Sequence, residues 1–210
     1  MSYELRTCCA LLVACALSGC GADGADQAGP EVGTAEQELG GARSAVLRDA
    51  NGASVGRVHF LPTGGVTTVA VSARLTPAQN GIHGFHVHAN DNPANGDGCI
   101  ADPAQPANTH FVSADGHYNP GGGTHGDHAG DMPALFFTEG GVAAMSFITD
   151  RFEPNDINGR AVILHAAPDN YGNVPVGADA NQYTANSAAA LTLTQNTGNA
   201  GNRIACGVIQ

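Results

Sequence analysis

Short apolar runs recur along the chain from about residue 42, and Gly, Pro, Asn and Asp separate them. Residues 66–75 alternate between apolar and polar side chains, which places one row on each face of a β-strand. The apolar row is Val69, Val71, Ala73 and Leu75, and the polar row is Thr68, Ser72 and Arg74. The same signals predict strands at 45–47, 55–61, 82–88, 142–148, 161–165 and 203–209. Seven or eight strands predict an all-β fold, a Greek-key antiparallel β-sandwich or barrel of about eight strands.

Two connections between these strands are long, residues 89–130 and 166–189. Neither shows an amphipathic helical period, so we predict no helix of useful length. Loops of this length without regular structure are usually functional or disordered. Because most of the candidate metal ligands lie in or beside them, we predict two long functional loops.

The chain is strongly acidic, with 19 acidic residues, 8 basic residues and a net charge of −11. All eight basic residues are arginine. Nucleic-acid binding requires cationic contacts to phosphate, so we expect no nucleic-acid partner. The simplest interpretation of the acidity is solubility.

The N-terminus is typical of a targeting segment. An apolar stretch at residues 11–17 is too short to span a bilayer. It leads into Leu17-Ser18-Gly19-Cys20, which resembles a bacterial lipobox. We predict a lipoprotein-type signal peptide at 1–19, a lipidated Cys20 with a flexible acidic linker at 20–41, and one domain at 42–210. The protein would then be exported to the periplasm or cell surface, with a membrane contact through the lipid only; a plain cleaved signal is the alternative.

Six cysteines are present, of which three leave with the signal and Cys20 would carry lipid. The remaining two are Cys99 and Cys206. In an exported chain this favours one disulfide over two free thiols. A closed loop of more than a hundred residues would stabilise the fold by roughly 4–5 kcal/mol in the chain-entropy model.

Six of the nine histidines and one aspartate fall in an order that indicates a two-metal site. His86 and His88 are two apart on a predicted strand, so they share a face. A second group, His117, His125, His128 and Asp131, lies in a glycine-rich segment. Three imidazoles and a carboxylate form a usual zinc set, and imidazole also suits copper. A solvated loop rich in His and Gly is the alternative for this second group.

Four separated motifs closely resemble copper/zinc superoxide dismutase. They are Gly81-Ile82-His83-Gly84-Phe85-His86-Val87-His88, His117-Tyr118-Asn119-Pro120, Gly130-Asp131, and the segment from Gly198 to Ile209 that contains Arg203 and Cys206. The resemblance covers about residues 42–210 and implies superoxide dismutation by Cu(II)/Cu(I) cycling beside a His-bridged structural zinc. It implies superoxide as substrate, one copper and one zinc ion per chain, and a possible homodimer.

The resemblance also implies a role for each site residue. The implied copper ligands are His86, His88, His117 and His165, and the implied zinc ligands are His117, His125, His128 and Asp131. His117 would bridge the two metals and act in catalysis with Arg203, the arginine beside the open copper position. Asp169 is similar to the aspartate that ties a copper histidine to a zinc histidine, and Thr197 to the threonine at the channel mouth. Cys99 and Cys206 match the family disulfide.

This sequence departs from the family pattern in two places. Only Gly126 and Asp127 separate His125 from His128, where most relatives have several more residues. Asp127 or a shifted register could therefore take part in zinc binding. The lysines that often steer superoxide in relatives are absent, which predicts a weak dependence of rate on salt.

Fold alone does not decide among three functions. The first is an exported superoxide dismutase, and the alternative is a non-catalytic copper-binding or copper-delivery module on the same fold. Arg203 and the bridging His117 favour the enzyme, since storage needs neither. A copper-only dismutase would be expected to lack zinc ligands, and here the whole set is present.

Overall fold

The computed structural model describes residues 40–96, 98–172 and 188–210. Within them lie nine β-strands and one α-helix. The strands are β1 Arg43–Arg48, β2 Ser54–Thr63, β3 Val66–Arg74, β4 Gly81–His83, β5 Phe85–His88, β6 Leu135–Phe137, β7 Val142–Thr149, β8 Ala161–His165 and β9 Arg203–Val208. The helix, α1, is Ala188–Thr197. The predicted all-β antiparallel class is confirmed.

Seven strands form one curled antiparallel sheet in the order β5-β8-β9-β1-β2-β3-β7, and β4 and β6 form a separate pair. Alternate side chains from this sheet meet in a large apolar core, and a second, smaller cluster contains Phe111, Ile163 and Cys206. Strand β3 supplies the row predicted from its alternation, Val69, Val71, Ala73 and Leu75 at its end, all buried. At about 25 cal/mol per Å² of apolar surface removed from water, this shared interior is the main source of stability.

The histidine-bearing segment predicted as one strand is two strands, separated at Gly84. A Cβ atom on Gly84 would lie 2.6 Å from the Cβ of Ala200, so only glycine fits there. The Gly84 amide donates to the carbonyl of Ala167. The backbone therefore leaves one partner strand at Gly84 and joins another. As a result β4 pairs with β6, whereas β5 pairs with β8. Strand β6 has three residues and was not predicted from the sequence.

The prediction of no helix is wrong for residues 188–197, which form α1. The buried side of this helix is not an apolar stripe: the apolar side chain of Leu193 is 52% exposed, whereas the polar side chain of Thr194 is 3% exposed. Its alanines and leucines favour helix through intrinsic propensity rather than through an apolar stripe. Gly198, with φ of +57°, ends it in the left-handed conformation.

The predicted Cys99–Cys206 disulfide is confirmed, with the two Cα atoms 5.5 Å apart. It joins the first long connection to β9. None of the helices in the described ranges is long and apolar enough to cross a lipid bilayer. The predicted signal at 1–19, the lipidated Cys20 and nearly all of the linker at 20–41 lie outside the residues that the structure describes.

Candidate metal centre

Strand β5 carries the centre on its outer face. Phe85 and Val87 point into the apolar core, and the alternation of the strand turns His86 and His88 the other way. Both histidines are nevertheless fully buried, and on this face they contact Asp169 and the carbonyl of Asp115. Their ring centroids are 6.5 Å apart. The same-face arrangement expected from the spacing is therefore present, on a rigid support.

Four histidines converge in the first group of potential metal ligands. One ring nitrogen from each lies within 4.8 Å of the others, and the members are His86, His88, His117 and His165. His88 and His165 approach through their Nε2 atoms, which are 3.3 Å apart. Strands β5 and β8 supply three of these rings, and the first long connection supplies His117.

In His88 and His165, one ring nitrogen makes a hydrogen bond to a backbone carbonyl and the other remains available as a ligand. His88 Nδ1 donates to the carbonyl of Asp115 at 2.8 Å, and His165 Nδ1 donates to that of Gly201 at 3.1 Å. The free Nε2 lone pairs of both rings consequently face the interior of the group. Such second bonds fix the tautomer and orientation of metal-binding histidines.

The second group is organised around the carboxylate of Asp131. Its Oδ1 lies 2.8 Å from His117 Nδ1, 3.2 Å from His125 Nδ1 and 3.3 Å from His128 Nδ1. Its Oδ2 accepts from the backbone amides of Gly126 and His128. Three imidazole nitrogens thus surround one carboxylate oxygen. The potential ligand atoms that lie within 4.8 Å of one another are those of His86, His117, His125 and Asp131, so His86 and His117 belong to both groups and His128 is not among them. Asp127, the alternative considered from the sequence, is exposed and does not join them.

Asp169 links the two groups directly. Its Oδ2 lies 2.6 Å from His86 Nε2, and its Oδ1 lies 2.7 Å from His125 Nε2. Gly198 allows this contact, since a Cβ atom there would meet the carboxylate. The backbone amide of His125 also donates to the carbonyl of Gln195 in α1, so Asp169 and helix α1 position this histidine together.

Three ring nitrogens show that the centre fits metal ions. His86 Nδ1, His117 Nε2 and His125 Nδ1 are buried and have no hydrogen-bond partner among the described residues. Leaving buried polar atoms unpaired costs about 1–3 kcal/mol each, and a metal ion would satisfy them. The donor set fits as well: nitrogen alone suits copper, and nitrogen with one carboxylate suits zinc.

Burial and neighbouring charges set the protonation of the centre. Burial lowers the pKa of His88 and of His165 well below the ordinary value, and the charge of Arg203 contributes to both shifts. Burial also lowers the pKa of His117 to about 4, against the opposing hydrogen bond to Asp131. These rings are neutral at pH 7 and available as ligands, which is the form that binds metal.

In the second group, the pKa of His125 is shifted in the opposite direction, upward. Burial alone would lower the pKa of this ring, but its contacts with Asp131 and Asp169 raise it to about 9. Although burial alone would raise the pKa of each carboxyl group, the surrounding histidines hold both below their usual range. Without a metal, the ring is therefore a protonated imidazolium between two carboxylates.

Arg203 and Thr197 lie beside different histidines of the centre. The Arg203 guanidinium donates to the carbonyls of Phe111 and Asp115, and burial lowers its pKa. Thr197 ends α1 and lines an open cavity of about 490 Å³ that also exposes parts of His117 and His128. Both side chains are thus placed near the centre.

Two residues near the centre were not singled out from the sequence. Arg151 Nη1 donates to the carbonyls of Gly126 and His128, each at 2.9 Å, and so braces the short segment between His125 and His128. Asp115 holds Arg203 and His88 through one carbonyl. The sequence gives no signal for either residue. Each contacts residues that are far away in the chain, and no motif spacing relates them.

These features define a class of protein: an antiparallel β-fold with two adjacent candidate metal sites that share histidines. The family model described as copper/zinc superoxide dismutase matches residues 54–209. The chain belongs to that family. A solved structure titled "Crystal Structure Analysis of the clock protein EA4" is similar, with 26% identity, a TM-score of 0.57, and coverage of 80% of this chain and 93% of that one.

Proposed function

We propose that the protein is a superoxide dismutase that holds one copper ion in the first group and one zinc ion in the second. The observation that carries this proposal is the position of His117. Its Nδ1 faces Asp131 among the second group, whereas its buried Nε2 belongs with the first and has no partner there. One imidazole is therefore placed to serve both metals, which neither a storage site nor a single zinc site requires.

Bound copper would supply one-electron transfer, so that two superoxide anions and two protons give dioxygen and hydrogen peroxide. The residues of the chain attract the anion, move a proton and orient the ligands. Arg203 presents a fixed positive charge beside the copper group, where an anion gains more than it would in bulk water. His117 can take up a proton at Nε2 and return it. Asp169 keeps the rings of His86 and His125 oriented.

The competing proposal is a copper-binding or copper-delivery module. The similar solved structure is titled a clock protein, so this fold is not tied to one named role. The partly buried guanidinium of Arg203 favours the enzyme, because metal storage gains nothing from a cation next to its histidines. A cation there repels a bound metal ion but attracts an anionic substrate.

The test compares His117→Ala with His59→Ala, a matched change at an exposed histidine on β2. The purified protein is loaded with metals, its copper and zinc contents are measured, and superoxide decay is followed by pulse radiolysis. We expect His117→Ala to lose at least about a hundredfold in rate, and His59→Ala to retain it. Stoichiometric copper without superoxide decay in the unaltered protein would support the binding module instead.

We further propose that the protein is exported and held at a membrane by lipid on Cys20, as the lipobox-like Leu17-Ser18-Gly19-Cys20 supports. The full chain expressed in a bacterium should partition into the detergent phase of an extract. The Cys20→Ser variant should move to the aqueous phase. An unaltered protein that stays in the aqueous phase contradicts the proposal.

A further inference from the structure

Asp115 adopts a backbone conformation that side chains rarely tolerate. Its φ of 62° and ψ of −160° lie in a region that is essentially restricted to glycine. A residue held there is strained, and the surrounding structure must offset that strain. Asp115 is two residues before His117, so the strain lies at the edge of the metal centre.

The carboxylate of Asp115 shows how the conformation is held. Its Oδ2 accepts from the backbone amides of Asp91 and Asn92, both at 2.9 Å, and its Oδ1 accepts from Asn95 Nδ2 at 2.5 Å. All three donors belong to the turn at residues 91–95, which follows β5. Charge-assisted bonds of this kind are about twice as strong as neutral ones. The side chain thus ties two distant parts of the first long connection together.

The carbonyl of Asp115 faces the other way, toward the centre. It accepts from His88 Nδ1 and from the Arg203 guanidinium. The second carbonyl that holds Arg203 belongs to Phe111, another non-glycine residue with positive φ, of 57°. Burial of its ring, in a cluster that includes Ile163 and Cys206, anchors Phe111. Both acceptors of Arg203 are therefore strained residues fixed by their own side chains.

We infer that Asp115 is a positioning residue, whose carboxylate locks its peptide group so that one carbonyl orients Arg203 and His88 together. Glycine would adopt this conformation without strain, but it would leave the 91–95 turn unattached and the peptide free to rotate. The inference deepens the proposed function and rests on it for the roles of Arg203 and His88. The orientation of Arg203 by Asp115 requires no bound metal, so it can be tested in the metal-free protein as well.

The experiment compares Asp115→Gly with Asp115→Asn. The glycine variant removes the carboxylate and the strain together, so lost stability does not obscure the result. The asparagine variant can keep the bonds from both backbone amides and, with the Asn95 amide turned round, the third contact. Asp102→Gly is the control: Asp102 caps a turn in the same connection by accepting from the amide of Ala104, away from Arg203.

Two measurements separate positioning from general stability. The first is the Nε–Hε nuclear magnetic resonance signal of Arg203 in the metal-free protein, assigned by its loss in Arg203→Lys. The second is the affinity of the copper-loaded protein for azide, a small anionic probe. We expect Asp115→Gly to move the signal to the position of exposed arginines and to weaken azide binding about tenfold, as loss of a supporting partner typically does. Asp115→Asn and Asp102→Gly should both stay within about threefold of the unaltered protein.

An Asp115→Gly variant with an unchanged arginine signal and unchanged azide affinity would overturn the inference, since glycine alone would then suffice. A loss shared equally by Asp102→Gly would also overturn it, because the effect would be one of general stability. If the protein fails to bind copper, the proposed function fails, whereas the arginine signal of the metal-free variants still decides whether Asp115 positions Arg203.

Discussion

His125 lies between the carboxylates of Asp131 and Asp169, and this makes the metal-free centre sensitive to pH in the alkaline range. Burial opposes its protonation, but Asp131 and Asp169 together raise its pKa to about 9. In the unfolded chain the same ring has a pKa near 6.5. Because the folded value is the higher one, the stabilisation is complete below about pH 6.5 and is lost as the pH rises through 9.

We therefore expect the metal-free protein to lose stability between about pH 7.5 and 9, by at most about 1.4 kcal/mol per pH unit. The histidines with lowered pKa values, His88, His117 and His165, act in the opposite sense near pH 6.5, because the unfolded chain still protonates them there, and they no longer contribute above about pH 7.5, where they are neutral in both states. Urea denaturation at several pH values measures the effect. The variant His125→Gln should show a flatter profile; an equal slope in that variant would assign the loss to another group.

Single residues also show the limit of what the sequence reveals about the site. Spacing alone indicated that His86 and His88 share a face, and family motifs pointed to the other candidate ligands that the structure brings together. The sequence did not predict a role for Asp115 or Arg151, because both act through hydrogen bonds that involve backbone carbonyls. A carbonyl has no side-chain identity, so no residue type at the accepting position indicates such a contact.

Among the larger elements, the segment from His125 to His128 departs most from the family pattern. Two of its carbonyls accept from Arg151, which follows β7, and two of its amides donate to Asp131. The short loop is thus fixed from both sides without help from a metal. This bracing explains how four candidate ligands converge with so few residues between them.

Removing the brace should weaken zinc binding more than copper binding. We expect Arg151→Ala to lower zinc affinity by about tenfold, as the loss of a supporting contact typically does, with little change in copper affinity. Competition with a chelator of known affinity measures both. Arg57→Ala, which removes an exposed arginine on β2, is the control of equal charge. Equal losses of the two affinities would show that Arg151 stabilises the whole domain rather than the loop.

Element prediction succeeded for the long strands with a simple burial period and for the short buried strand β8, and it failed where an element was very short or depended on packing against distant segments. The long strands β2, β3 and β7 alternate across the sheet, and the sequence predicted each of them. Strand β6 has only three residues, too few to establish a period. The break at Gly84 and helix α1 depend on close packing against other segments, which the apolar pattern does not contain.

At the scale of the whole molecule, charge rather than fold governs how the substrate arrives. Residues 42–210 carry 13 acidic residues against 7 arginines, a net charge of −6 out of the −11 of the whole chain, which repels an anion at long range, and there is no lysine to offset it. The local attraction comes from the centre and from Arg203, within distances where salt screens weakly. Under the proposed function, the domain would therefore capture superoxide at close range rather than steer it from afar.

This balance predicts a rate that changes less than about twofold between low and physiological ionic strength. A cation added at the cavity that exposes His117 should restore long-range attraction. Asn196→Lys places one there, on the exposed face of α1. Its rate should be higher at low salt and should fall as salt is added, whereas Ser146→Lys, exposed on β7, should behave like the unaltered protein. Pulse radiolysis across a salt series measures all three, and a steep loss of rate in the unaltered protein would show that long-range steering persists despite the acidic surface.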